Sequence, residues 1–287
     1  MKFQNLAHLS AALASLISPL SAGITLGPVK GHPGESVRLV SHSETPGGTI
    51  ERSINGQYSS GTISITRDRE LVWTFRAPTE DGTKRGMVRV PNITTTTVTK
   101  LHGKSEKISD TSPLNGKMFS MEKSATSDWK FQLDGSVPFT RIKSEIDELT
   151  VYLKREWYPS KVINLGDSWE FDPAWIKLVL EKDLSEAKTI GTMRLRQIRR
   201  AQNREIALID VTVRSTGTNF KSDGSELEAA IDLSGEMLVN LSTNLDESLE
   251  LKGTISFTSG KSGEINKIKL PINLSVTKSF IRDSAIP

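Results

Sequence analysis

Apolar side chains recur at every second position along most of this chain, which commits it to strands with one buried face. The pattern is clear in Gly61-Thr62-Ile63-Ser64-Ile65-Thr66 and again in Leu71-Val72-Trp73-Thr74-Phe75. Asp68-Arg69 lies between these runs, so they are expected to form an antiparallel hairpin turning there. Residues 78–82 supply the next turn, and Gly86 to Val90 begins a strand that Pro91 interrupts. The β-branched run Thr94 to Thr99 favours extended chain. Later, residues 192–196 and 206–213 flank a turn-like tetrad at 201–204 and read as a hairpin. Segments 227–233, 236–242, 248–257 and 265–277 continue the texture, with Gly224, Gly235, residues 244–246 and residues 260–263 as punctuation. Successive strands with short connections predict a meander.

Two stretches break the alternation. Phe139, Ile142, Ile146, Leu149 and Leu153 recur at three- and four-residue steps, with charged residues on the other faces, so an amphipathic helix is expected after Pro138 and before Pro159. A second is expected at residues 172–180, where Asp172 caps, Pro173 takes the first helical position, and Trp175, Ile176, Val179 and Leu180 form the stripe. The expected class is therefore α+β and β-rich, with curved antiparallel sheets and two amphipathic helices between strand-rich halves. The polar stretch from His102 to Gly116 reads as a loop or linker. It divides an N-terminal β-rich region, 24–116, from a helix-containing β-rich region, 117–287, and the two can also form one continuous domain. Gly61-Thr62-Ile63-Ser64-Ile65 is loosely echoed by Gly253-Thr254-Ile255-Ser256-Phe257, which raises an internal duplication as one reading.

The first residues carry an export pattern: Lys2, an apolar run from Leu6 to Leu20, and the small residues Ser21-Ala22-Gly23. A signal peptide over residues 1–23 is expected, with cleavage after Gly23. The competing reading is a retained helix with Leu6, Leu9, Leu13, Leu16 and Leu20 on one face. No later segment approaches the ~18 consecutive apolar residues of a spanning helix, so the mature chain is not expected to be an integral membrane protein. The sequence has no cysteine, which rules out a disulfide, a thiolate metal site, a cysteine nucleophile and a lipid-modified cysteine. Export without disulfides suits a bacterial envelope, periplasmic or secreted. The 37 basic and 34 acidic residues leave a net charge of +3, too small a surplus to point to nucleic acid.

Between the expected helices lies Tyr158-Pro159-Ser160-Lys161-Val162-Ile163-Asn164-Leu165-Gly166-Asp167-Ser168-Trp169-Glu170. This stretch resembles a proline, valine, then Gly-Asp-Ser-Trp signature of a family of uncharacterised exported bacterial proteins and lipoproteins. The resemblance covers about residues 140 to 260 and implies a helix before the motif and a strand-rich half after it. No activity comes with it. The chain departs from the lipoprotein members in having no cysteine to acylate. Read physically, Gly166 supplies a permissive backbone angle, Asp167 and Ser168 can satisfy nearby amides, and Trp169 anchors a strand. A nucleophilic Ser168 beside Asp167 is the weaker reading, because adjacent strand residues point to opposite faces.

Histidines 32, 42 and 102 sit in no metal-ligand spacing, and no metal or cofactor is expected. His32 and His42 flank a Gly/Pro/Ser-rich segment and could meet in space. Carboxylate pairs such as Glu145 with Glu148 belong to what reads as a solvated helix face. Arg194, Arg196, Arg199 and Arg200, with Arg204 close by, form the one suggestive charge cluster. They are candidates for a phosphate, an acidic polysaccharide or an anionic headgroup, although Glu205 and Asp210 lie nearby. Three functions follow, in this order: an exported non-catalytic binding protein holding an apolar or amphiphilic ligand in a curved sheet, an envelope structural or adaptor module binding a protein or anionic polymer, and a hydrolase with a dispersed site.

Overall fold

The computed structural model describes residues 23–124, 129–133, 142, 145–146, 157–171, 185–201, 204–220, 224–261 and 263–281. These residues form thirteen strands. The first seven are β1 (Ser36–Glu44), β2 (Gly48–Ile54), β3 (Gln57–Arg76), β4 (Lys84–Leu101), β5 (Lys104–Thr111), β6 (Met118–Lys123) and β7 (Lys130–Leu133). The rest are β8 (Ser168–Phe171), β9 (Ser185–Ala201), β10 (Arg204–Phe220), β11 (Glu226–Asn240), β12 (Leu245–Lys261) and β13 (Glu264–Ile281). One antiparallel sheet contains them all, in the order β7-β6-β4-β3-β1-β13-β12-β11-β10-β9-β8. β2 continues β1 between β13 and β3, and β5 adds to β4. No ladder joins β7 to β8 among the described residues.

The expected α+β class is overturned: the described chain is almost wholly strand, and no helix is among its elements. Of the two segments read as amphipathic helices, residues 172–180 lie outside the described residues. So does most of 139–153, except Ile142, Glu145 and Ile146, whose backbone is helical. Ile142 is buried and Ile146 packs against the same apolar cluster on the sheet.

The strands are longer than the punctuation implied. β3 runs straight through Asp68-Arg69, with Asp68 opposite His42 and Arg69 opposite Ser41 and Ile93, so the expected turn is a strand interior. Gly235 lies inside β11 and does not end it. The expected linker contains β5, paired with β4 through the tight turn at His102 and Gly103, both at positive φ. Pro91 does not stop β4 either. Here the register against β3 shifts, and the far edge of β4 changes partner from β5 to β6, which accommodates a residue without an N–H.

Apolar residues take one face and charges the other. Val37, Leu39, Leu71 and Val88 share a face with Leu233, Met237, Leu251 and Ile255, while Arg38, His42, Glu44, Glu250, Lys252, Lys267 and Lys269 lie opposite. The apolar face is concave. A Cβ on Gly235 would lie 1.8 Å from the Glu250 carbonyl oxygen, and one on Gly253 1.9 Å from that of Asp232. Both glycines point to the apolar face, so neighbouring backbone approaches from that side only in a sheet bent toward it.

Two clusters fill this face. One draws on β8 to β13 with Trp157 and Ile163, the other on β1, β3, β4 and β6 with Leu114 and Ile142. Residues 24–35 cross one end of the sheet and join the halves. Ile24 and Ile163 exchange N–H···O bonds of 2.8 Å, Lys30 donates to the Thr243 carbonyl, and Gly34 donates to that of Phe75. Leu26 of this strap is buried in the first cluster.

Candidate functional site

The concave face is not uniformly closed. Toward the turn at residues 55–56 and the place where β12 ends and β13 begins, its apolar side chains become half-buried: Ile63 and Ile65 on β3, Ile268, Ile272 and Leu274 on β13, and Phe257 on β12. Register makes them contiguous. Phe257 stands opposite Ile268, and Leu274 opposite both Leu251 and Ser43. Gly48 stands opposite Ile63, Gly61 opposite Ile50, and Gly253 opposite Ile272, so the position across from each of these isoleucines carries no side chain. The row through Ile65 continues across Thr97 to Ile108 on β5, which is 57% exposed. The result is a low apolar floor partly open to solvent, an arrangement suited to holding alkyl or ring surface.

A polar seam borders this floor and separates the two clusters. Along β3 the concave-facing positions run Ile63, Ile65, Arg67, Arg69, Leu71. Ser43 faces Arg67 and Ser41 faces Arg69 across β1, with Thr95 and Ile93 on the β4 side. Further along, Lys278 and Asp246 form an ion pair whose side chains are 2% and 7% exposed. Alternation alone hides the seam, because Asp68-Arg69 reads as a turn between two strands.

The residues singled out in the sequence lie elsewhere. Arg194, Arg196, Arg199 and Arg200 are all exposed, and Arg194 and Arg196 share the convex face. Arg196 pairs with Asp210 at 3.0 Å and Glu236 at 2.6 Å, Arg200 with Glu205 at 2.8 Å, and Arg199 donates to Gln197 at 3.0 Å. Arg204 pairs with Glu247 at 3.0 Å. Among the described residues Arg194 has no ion pair. Carboxylates thus interleave the cluster, which presents a mixed surface in place of a cationic field.

Gly166 to Trp169 enters β8 from a turn. Gly166 has φ +89°, and Asp167 accepts from the Asn164 backbone N–H at 2.8 Å. Leu195 N–H donates to the Asp167 carbonyl at 3.0 Å, tying the turn to β9. Ser168 is exposed, while Trp169 is buried and donates its indole N–H to the Trp157 carbonyl at 2.8 Å. His42 Nδ1 lies 2.7 Å from Asp68 Oδ1 on the convex face, and no hydroxyl is bonded to that histidine among the described residues. His32 sits in the strap, where its backbone N–H donates to Glu35. His42 is six residues into β1, roughly 20 Å from Ser36 at the strand's start, so the fold does not bring the two histidines together. No group of three His, Asp or Glu residues that could hold a metal occurs among the described residues.

Two cavities are bordered by charged side chains. One, of about 240 Å³, lies on the convex side against Arg196, Glu236, Glu250 and Lys252. The other, of about 370 Å³, lies at a sheet end against Arg204, Asn240, Glu247 and Lys278. Each already sets cations beside carboxylates or an amide, so neither offers charge of one sign.

No protein-family model matches this chain, and no curated protein does. Among solved structures, Pseudomonas aeruginosa OccK7 (OpdD) is similar over 86% of this chain and 100% of its own, at 7% identity and a TM-score of 0.25. A DUF1329 family protein from Desulfovibrio piger is similar over 86% of this chain and 87% of its own, at 10% identity and a TM-score of 0.15. At these TM-scores neither carries a fold or a function to this chain.

Proposed function

We propose that this protein is an exported, envelope-associated binding protein without catalytic activity, which holds an apolar or amphiphilic ligand on the concave face of its sheet. The observation that carries this reading is the half-buried floor of Ile63, Ile65, Phe257, Ile268, Ile272 and Leu274. A face this apolar, left partly open beside a fully packed core, is a surface awaiting a partner. The non-catalytic part rests on the convex position of His42 and Asp68 and on the exposed, isolated Ser168. Native mass spectrometry of residues 24–287, purified from a bacterial periplasm without detergent, tests the reading. The expected result is a reproducible mass excess that organic solvent removes and that Ile65→Asp abolishes. A bare chain, unchanged after incubation with envelope lipids, sinks it.

A second reading, an envelope structural or adaptor module, has one observation in its favour. β5 is exposed along its whole length and is bonded only to β4 among the described residues, so its other edge can accept a partner strand. Its partner would be a protein or, through Arg194, Arg199 and Arg200, an anionic polymer. This reading predicts the bare chain in the same measurement.

A further inference from the structure

The end strands of the sheet, β7 and β8, have four residues each, too short an edge to template another strand. β5 has eight, every one exposed, and it pairs with β4 without a bulge or a proline. The tight turn at His102 and Gly103 makes Leu101 and Lys104 the bonded pair that closes this hairpin. Alternation then turns the N–H and C=O groups of Ser105, Lys107, Ser109 and Thr111 away from β4, toward the open edge. Lys104, Glu106, Ile108 and Asp110 share the concave face, where Ile108 is 57% exposed. Charges on the convex face are matched locally, Arg38 with Glu70 at 2.8 Å and Arg214 with Asp232 at 3.6 Å. On β5, Lys104, Glu106, Lys107 and Asp110 make no ion pair among the described residues.

We propose that β5 is the contact of a weak symmetric dimer, in which it pairs antiparallel with β5 of a second copy of this chain. The inference rests on the adaptor reading above only for the open edge and does not depend on what the floor holds. Charge selects the register. Only the outward-bonding residues can exchange bonds, so the two strands can slide past one another only in two-residue steps. Centred on Lys107, Lys104 of each copy stands opposite Asp110 of the other, and two opposite-charge pairs close the ends. A step one way sets Glu106 against Asp110, and a step the other way sets Glu106 against Glu106, so both neighbouring registers oppose like charges. In the centred register the two Ile108 side chains are diagonal neighbours and cover one another. The two-fold axis passes through the sheet at Lys107, and both concave faces lie on the same side. Lys107 then meets its own copy on the convex face, where the long stems diverge into solvent. That repulsion, with only about six N–H···O bonds across the seam, places the contact among the transient ones.

Sedimentation equilibrium of residues 24–287, from about 1 µM to about 1 mM, tests this. The expected result is a reversible equilibrium of monomer and dimer, weakened about tenfold or more in Lys104→Asp and in Asp110→Lys, each of which turns both end pairs into like-charge pairs. An equimolar mixture of those two variants should recover the dimer, because each copy then offers the charge the other needs. Ser109→Pro removes an outward N–H, leaves the β4 ladder intact and should abolish the dimer. Lys107→Thr, which relieves the central repulsion, should tighten it. A wild-type chain that stays monomeric throughout overturns the dimer and leaves the edge to a different protein, so the adaptor reading outlives it. A dimer indifferent to the charge variants and to Ser109→Pro has its contact elsewhere and overturns the inference equally. Failure of the mixture to recover overturns the register. The charge variants sit on exposed positions, so the outcome stands on them even where Ser109→Pro does not fold.

Discussion

Lys278 on β13 and Asp246 on β12 are paired inside the molecule, on the concave face beyond Val276 and between the two apolar clusters. An ion pair removed from water is a poor source of stability but a severe liability when broken, because the surviving charge is left without its counter-ion. Lys278→Met should therefore destabilise the protein by about 3–5 kcal/mol, while Lys278→Met combined with Asp246→Leu should recover most of that loss. Urea denaturation of the two variants checks this. A single variant within about 0.5 kcal/mol of wild type would show that the pair is not energetically coupled.

The bend of the sheet rests on core-facing glycines in neighbouring strands. Valine at Gly235 or Gly253 puts a Cβ inside the contact distance of the facing carbonyl, and the backbone cannot yield without flattening. Each substitution should cost about 1–3 kcal/mol or more, whereas Ser234→Ala, beside Gly235 on the convex face, should fall within about 0.5 kcal/mol of wild type. Thermal unfolding of the three variants separates them, and equal stability would show that the curvature does not depend on these positions.

Trp169→Phe keeps most of the buried ring area but removes the indole N–H that the Trp157 carbonyl accepts. Leaving that acceptor unsatisfied in the core should cost about 1–3 kcal/mol. Denaturant unfolding followed by circular dichroism avoids the lost fluorophore. An unchanged midpoint would mean that another donor takes over.

The turn at residues 79–83 should be acid-sensitive. The Thr79 hydroxyl, then the Thr83 backbone N–H and hydroxyl, donate to Asp81 and hold its carboxyl below the ordinary aspartate range. A lowered folded-state pKa contributes stability that is complete above the unfolded value and is lost as pH falls through the folded one. The Thr83 amide resonance should therefore shift below pH 4, at a lower midpoint than in an isolated turn peptide, and the shift should vanish in Asp81→Asn. Coincident midpoints would refute this.

Parity made part of this fold legible. The apolar positions 63, 65, 71 and 73 are all odd, so one unbroken strand places them on one face, as β3 does. A two-residue turn at 68–69 would have paired 65 with 72 and split that set between faces, so the alternation itself argues against the hairpin. The charged residues there misled because Asp68 belongs to the convex face and Arg69 to the seam. Gly235 and Pro91 likewise resemble terminators, and only the neighbouring strand reveals that one permits a bend and the other a shift of register. The Gly166 turn was readable because its contacts are local. The floor was not, since it depends on β3, β12 and β13 lying close together, and alternation says which face is buried but never which strands are neighbours.

β1 and β13 pair near the middle of the sheet, nine residues against nine, although they come from opposite ends of the chain. The ladder that unites the two halves consequently cannot form until the last strand has been synthesised. Until then, the stretch from β1 to β7 and the meander from β8 onward are two incomplete layers with raw edges. Such high contact order makes folding slow and the nascent chain sticky.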